Sequence, residues 1–173
     1  MDESEQREQE IVKGMEQDRK TAEKFVLNYD NERKTYDDKK QEWLNANNAP
    51  AGEKVGGKTN LPGSPTENAA IKVAQYDMEH PEYLWLRAVE IALKTFGERK
   101  RIFITVRREA DRRAQSYHGK KSWVVFTQRR YSEEIAKRYI FDEGGWVSDR
   151  TIKKWWALIL DRVVEIHLRL KKN

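Results

Sequence analysis

The residues with the clearest capacity for chemistry are basic side chains near the end of the sequence. The segment VSDRTIKKWW places Arg150, Lys153 and Lys154 within a single short stretch. Ser148 precedes them with a side-chain oxygen suited to cap a helix N-terminus. We therefore expect a helix that starts at Ser148, runs to about Lys171 and exposes cations in its first turns.

This helix is predicted to have two opposite faces. At about 100° per residue, Arg150 and Lys154 lie within about 40° of each other. The apolar residues gather between about 140° and 240° from Arg150. They are Ile152, Trp155, Trp156, Ile159, Val163, Ile166 and Leu170. One face is therefore expected to join the core, and the other to meet a polyanion.

A second group of cations lies just upstream. It consists of Arg129, Arg130, Lys137 and Arg138. The segment YSEEIAKRYI predicts a short helix starting at Ser132, whose residues Ile135, Ala136 and Tyr139 would let another helix cross closely. With the last helix it predicts a helix–turn–helix at about 131–171, although the turn at 141–147 exceeds the usual three or four residues.

The predicted helix–turn–helix assigns a role to each cation. The first turns of a recognition helix reach base edges in the major groove, so we expect Arg150 and Lys154 to do so. Arginine suits the O6 and N7 atoms of guanine. The predicted phosphate contacts, which fix register, are Ser148, Thr151 and Lys153, with Lys137 and Arg138 on the opposite backbone wall. Arg129 and Arg130 complete the predicted DNA-binding set.

The distribution of charge supports a polyanion partner at this end of the chain. Residues 1–48 hold 9 basic and 13 acidic groups, whereas residues 97–173 hold 20 basic and 10 acidic groups. A basic surface gains affinity for nucleic acid by releasing condensed counterions from the phosphates. We therefore expect double-stranded DNA as the partner of the C-terminal region.

Several other chemistries are not indicated. The sequence has no cysteine, and its three histidines lack metal-ligand spacing, so we expect no disulfide, metal site or cofactor. GEKVGGKT at 52–59 matches the P-loop pattern, but NNAPA before it and NLPGSP after it supply neither the strand nor the helix that a phosphate cradle needs. No arrangement of nucleophile and base stands out, and we expect no enzymatic activity.

The elements that position these residues are all predicted to be helical. Residues 4–46 are expected to form one long helix, with Met15, Ala22, Tyr29, Tyr36 and Trp43 repeating every seven residues on the side that packs. Further helices are expected at 64–78, 82–96 and 98–116, while 118–130 is expected to be irregular. The predicted fold is thus all-α, with a charged helical arm at 1–48, a flexible linker at 49–63 and a helical domain at 64–173.

The chain also resembles a known family. The charged helical start, the Gly/Pro linker leading into PGSPTENAAIKVAQY, the helical hairpin and the final VSDRTIKKWWALILDRVVEIHLRL are similar to RinA/ArpU-type late-gene transcription activators of phages and prophages of Gram-positive bacteria. The resemblance covers most of the chain by layout but only about 145–170 by motif. It implies a C-terminal part like region 4 of sigma factors, transcription activation, and contact with host RNA polymerase.

Two other functions remain open at this stage. A small terminase subunit would use the same DNA chemistry and form a ring, and a helical adaptor would dock an acidic protein with its basic end. A homodimer through the N-terminal arm is also possible. The acidic, polar start MDESEQREQE is unlike a secretory signal, and no apolar run reaches the roughly 20 residues of a membrane span, so we expect no membrane partner and a place in the bacterial host cytoplasm.

Overall fold

The computed structural model describes residues 3–48, 65–116, 123–139 and 146–172. These residues form seven α-helices and no strand, which confirms the predicted all-α fold. The helices are α1 Glu3–Leu27, α2 Tyr29–Asn48, α3 Pro65–Glu79, α4 Glu82–Thr95, α5 Glu98–Ser116, α6 Trp123–Arg138 and α7 Asp149–Lys172. The expected linker at 49–63 and its P-loop-like stretch lie outside the described residues.

Helix α7 lies at the centre of the bundle, in contact with α1, α4 and α6. Its predicted apolar face is buried at Ile152, Trp156, Ile159, Val163 and Ile166, and half-buried at Trp155 and Leu170. Burial of each such side chain contributes roughly 1.5–3 kcal/mol. The amphipathic pattern of the sequence therefore gave the correct orientation of this helix.

Helix α4 supplies most of the surface on which α7 packs. Leu86, Ala88 and Val89 are fully buried there. The Trp85 ring stacks on the ring of His167 in α7, with the two centroids 3.6 Å apart. The contact between α4 and α7 thus combines buried aliphatic side chains with a stacked pair of rings.

The prediction of one helix over 4–46 is wrong, because α1 ends at Leu27 and α2 begins at Tyr29. Arg108 of α5 explains the break. Its Nε donates a hydrogen bond of 2.7 Å to the carbonyl oxygen of Val26, which in a continuous helix would accept from the amide of residue 30. A side chain inserted in this way interrupts the backbone ladder and bends a helix.

The N-terminal helices are packed on the rest of the molecule instead of standing apart as an arm. Ala22, Phe25 and Val26 of α1 and Tyr36 of α2 belong to the same buried cluster as the residues of α4 and α7. Trp43 is half-buried against this cluster. The seven-residue repeat therefore marks a face that packs within the chain, except at Met15, which is exposed.

The prediction of an irregular segment at 118–130 is wrong for residues 123–130, and residues 118–122 lie outside the described residues. The predicted helix start at Ser132 is also wrong. Helix α6 already begins at Trp123, and Ser132 is internal to it, donating a hydrogen bond to the carbonyl oxygen of Gln128. Val124 and Tyr131 are buried, and α6 packs along α5. This burial outweighs the preference of the Trp-Val-Val-Phe-Thr run for strands, because tertiary contacts override local propensity.

None of the helices formed by the described residues is both long and apolar enough to cross a bilayer. Nor do these residues include a cluster of three or more histidine, aspartate or glutamate side chains arranged to hold a metal ion.

Candidate nucleic-acid interface

The N-terminus of α7 is capped as the sequence predicts. Ser148 Oγ accepts a hydrogen bond of 3.2 Å from the amide of Thr151 and lies 2.9 Å from the Thr151 hydroxyl. The amide of Ile152 donates to the carbonyl oxygen of Ser148 at 2.9 Å. Ser148 thus fixes the first turn of α7, and its hydroxyl and that of Thr151 are engaged with each other.

A buried contact from α6 holds the residue in front of this cap. The amide nitrogen of the Gln128 side chain donates a hydrogen bond to the carbonyl oxygen of Val147. Gln128 is buried, and Val147 packs on the core cluster. The start of α7 is therefore anchored to α6 although the connection between them is long.

Three cations project from the first turns of α7. Arg150, Lys153 and Lys154 are all exposed. Within the part of the chain that the structure describes, none of the three has an ion pair or a hydrogen bond through its side chain. They lie on one face of a capped helix, and within the described residues they would not have to break a side-chain contact to bind an anion.

The cations at the end of α6 are exposed but paired. Lys137 Nζ lies 3.2 Å from a carboxylate oxygen of Glu134. Nη1 of Arg138 lies 3.3 Å from a carboxylate oxygen of Glu98 in α5. Exposed pairs of this kind contribute little to stability, from zero to about 1 kcal/mol. A phosphate can therefore replace either carboxylate without a large loss.

Arg129 and Arg130 differ sharply although they are neighbours. The side chain of Arg129 is 84% exposed and pairs with Glu133 alone at 3.2 Å. Arg130 lies within 3.1 to 3.4 Å of three carboxylates, those of Glu133, Glu134 and, in α5, Glu109. The hydrogen bond with Glu133 raises the pKa of Arg130 above its ordinary value. Arg130 therefore joins α5 to α6, and only Arg129 is presented for binding.

The predicted packing of a short helix on α7 is only partly correct. Ile135 is buried and Tyr139 is half-buried, but Ala136 is exposed and takes no part in a close crossing. Tyr139 Oη donates a hydrogen bond of 2.8 Å to Glu98 of α5. Helix α6 packs more extensively on α5 than on α7, which is why its apolar residues are not all directed at the last helix.

Arg107 of α5 contacts three other helices, a role that the sequence pattern was not used to predict. Arg107 of α5 is only 4% exposed, and its guanidinium packs against two indole rings, 4.3 Å from the Trp123 centroid and 5.0 Å from that of Trp156. Its Nη2 is 3.4 Å from Glu23 of α1, which also accepts a hydrogen bond of 2.9 Å from Trp156 Nε1. Arg107 thereby connects α1, α5, α6 and α7.

The spacing of α5 contains the signal that was overlooked. Arg107 lies four residues after Phe103 and three before Ala110, and both of these residues are buried. Positions three and four apart lie on one face of a helix. An arginine inside an apolar stripe is expected to be buried, so this spacing already indicates that Arg107 lies in the core.

Comparisons with models of protein families, with characterised proteins and with solved structures find no match to this chain.

Proposed function

We propose that this protein binds double-stranded DNA in a sequence-specific manner through the first turns of α7, and that it activates transcription of phage or prophage late genes. The observation that supports DNA binding is the free cationic group Arg150, Lys153 and Lys154. These side chains are exposed and, among the described residues, unpaired. These side chains can therefore bind phosphate without breaking an ion pair within the protein.

The binding mode follows from the geometry of a capped helix. An α-helix fits the major groove, which is about 12 Å wide. Arg150 and Lys154 share the face opposite the buried stripe and therefore reach base edges in this mode. Lys153 lies about 60° around the helix from Arg150 and contacts the backbone. The positive end of the helix dipole adds attraction for a phosphate at the N-terminus of α7.

Neighbouring cations extend this surface. Arg129, Lys137 and Arg138 on α6 would exchange their carboxylate partners for phosphates of the opposite backbone wall. Arg130 is assigned no DNA contact, since its guanidinium lies between three carboxylates. The proposal thus keeps all the predicted contacts except that of Arg130.

Transcription activation rests on the resemblance to RinA/ArpU-type activators. Such a protein would bring a second surface to host RNA polymerase while α7 holds DNA. We assign the polymerase contact to the surface of the helical hairpin formed by α3 and α4, which leaves α7 free for DNA.

Selection of bound sites from random duplex DNA tests the proposal. We expect a motif to emerge, and we expect it to occur upstream of late genes in a phage genome. A complex with a ring-shaped oligomer and no promoter motif would instead support a terminase subunit. Absence of binding to any duplex at low salt would support a helical adaptor.

A triple variant and a matched control make the test specific. Arg150→Ala/Lys153→Ala/Lys154→Ala is expected to abolish binding while leaving the melting temperature unchanged, because all three side chains are exposed. Lys20→Ala/Lys34→Ala/Lys39→Ala removes the same charge from exposed positions of α1 and α2. Equal losses in both variants would show that net charge, and not α7, governs binding.

A further inference from the structure

The N-terminal half of α1 extends beyond the core. Every residue from 5 to 17 is exposed, whereas Ala22, Phe25 and Val26 further along α1 are buried in the bundle. At 1.5 Å per residue this exposed part is about 20 Å long. A helical segment of this length seldom remains isolated in water, because short helices without tertiary contacts are marginally stable.

One face of this segment is apolar. Ile11, Val12 and Met15 are 63%, 56% and 57% exposed. They continue the stripe that α1 buries further along at Ala22 and Val26, since all five residues lie within about 60° of Met15 around the helix. The side of α1 that packs inside the bundle therefore continues outside it without a covering.

The charges around this apolar face are mainly negative. Residues 5–18 contain five acidic and two basic side chains. The exposed end of α7 has the opposite character, with Arg169, Lys171 and Lys172 beside Leu168, which is 43% exposed. The molecule thus has an acidic apolar surface on α1 and a basic apolar surface at the end of α7.

The two surfaces lie next to each other because α1 runs antiparallel to α7. Glu23 of α1 accepts a hydrogen bond from Trp156 of α7. One turn before Glu23 in α1, Arg19 forms an ion pair with Asp161, which lies about one turn after Trp156 in α7, and its Nε is 2.6 Å from the carboxylate. The next turn of α1 carries Met15 and lies level with the last turns of α7. A two-fold rotation then brings the acidic surface of each copy onto the basic surface of the other, as an isologous interface requires.

We propose that a second copy of this chain covers the N-terminal half of α1. Two reciprocal contacts form, each between α1 of one copy and the end of α7 of the other. Ile11, Val12 and Met15 pack near Leu168 of the second copy, and Glu8 and Glu16 face Lys171 and Lys172. The interface is small, so dissociation constants in the micromolar range are expected. The dimer does not depend on DNA binding.

Sedimentation of the full chain over a range of micromolar concentrations tests the dimer. We expect the wild type to change from monomer to dimer as concentration rises. Ile11→Asp/Met15→Asp should weaken the dimer at least about tenfold, the effect of losing about 1.4 kcal/mol, with an unchanged melting temperature. Met78→Asp is the control, since Met78 is 86% exposed on α3 and away from the interface. A wild type that stays monomeric, or a double variant that still dimerises like the control, would overturn the proposal.

A charge exchange tests the reciprocal geometry. Glu8→Lys/Glu16→Lys and Lys171→Glu/Lys172→Glu should each be monomeric alone, because like charges then meet in both contacts. Mixed together they should form a heterodimer, in which both contacts again join opposite charges. Failure of the mixture to associate, with the wild type dimeric, would refute this arrangement of the two copies.

Discussion

Helix α5 and the first turns of α7 both carry closely spaced cations, but the surroundings of those cations differ. In α5, Arg107 packs against two tryptophans and Arg108 donates a hydrogen bond to a backbone carbonyl oxygen of α1. Burial lowers the pKa of both arginines from the ordinary value, and nearby carboxylates only partly offset that effect. In α7, Arg150 and Lys153 are exposed and, within the described chain, unpaired.

This difference separates two uses of positive charge that composition alone does not distinguish. A guanidinium can stabilise a fold by stacking on aromatic rings and spanning several helices. A free cation on a capped helix adds nothing to that packing and remains available to a polyanion. The number of basic residues is therefore a poor guide to a binding surface, whereas their burial and pairing are a direct one.

The largest expected effect is on stability, at Arg107. Arg107→Ala should lower the free energy of unfolding by about 3 kcal/mol, because truncation leaves a cavity and removes the contacts of the guanidinium with both indole rings. Urea denaturation measures this loss. Arg113→Ala on the same helix is the control, since Arg113 is 64% exposed, and it should change stability by less than about 0.5 kcal/mol. If the two variants had similar urea midpoints, Arg107 would not contribute to stability as we propose.

The regions that sequence predicted correctly are those with a strong local pattern. In α7 the apolar stripe and the Ser148 cap are both local features, and both are confirmed. The start of α6 was missed because β-branched and aromatic residues favour strands unless a neighbouring helix buries them. The break at residue 28 depends on the hydrogen bond between Arg108 and Val26, which are 82 residues apart along the chain, a contact that no local pattern reveals.

The next effect is on DNA affinity, at Arg150. Arg150→Ala should weaken binding to the selected site by about 1–3 kcal/mol and relax specificity at one base pair. Its stability should be unchanged, because the side chain is exposed. Fluorescence anisotropy with the selected site and with random duplex gives both affinities. An equal loss for both duplexes would mean that α7 does not read the sequence.

A smaller effect is expected at Lys153, which the proposal assigns to the phosphate backbone. Lys153→Ala should weaken binding to all duplexes alike and reduce the slope of log affinity against log salt by about one unit. Titrations at several salt concentrations measure that slope. Lys34→Ala, an exposed lysine on α2, should leave the slope unchanged. If Lys153→Ala instead altered base preference, the two roles assigned within α7 would have to be exchanged.

The smallest effect concerns a third kind of basic group, a buried histidine whose pKa is lowered by its surroundings. His167 stacks on Trp85 and is 8% exposed. Burial lowers its pKa from the ordinary 6.5, and Lys171 acts in the same direction, while Asp18 of α1 and the backbone at Leu84 of α4 oppose the shift.

The sign of the pH dependence follows from this lowered pKa. Below about pH 6.5, His167 becomes protonated in the unfolded chain but stays neutral in the folded chain. The unfolded state therefore binds more protons than the folded state. The stability that the neutral ring provides is therefore complete above that pH and is lost as pH falls through the folded pKa.

His167→Phe keeps an aromatic ring on Trp85 without a titrating group, so its free energy of unfolding should fall less between about pH 7 and pH 5 than that of the wild type. Asp18→Asn should make the fall steeper than in the wild type, because it removes the carboxylate that favours the charged ring. Parallel pH profiles for the wild type and His167→Phe would show that protonation of His167 is not coupled to folding.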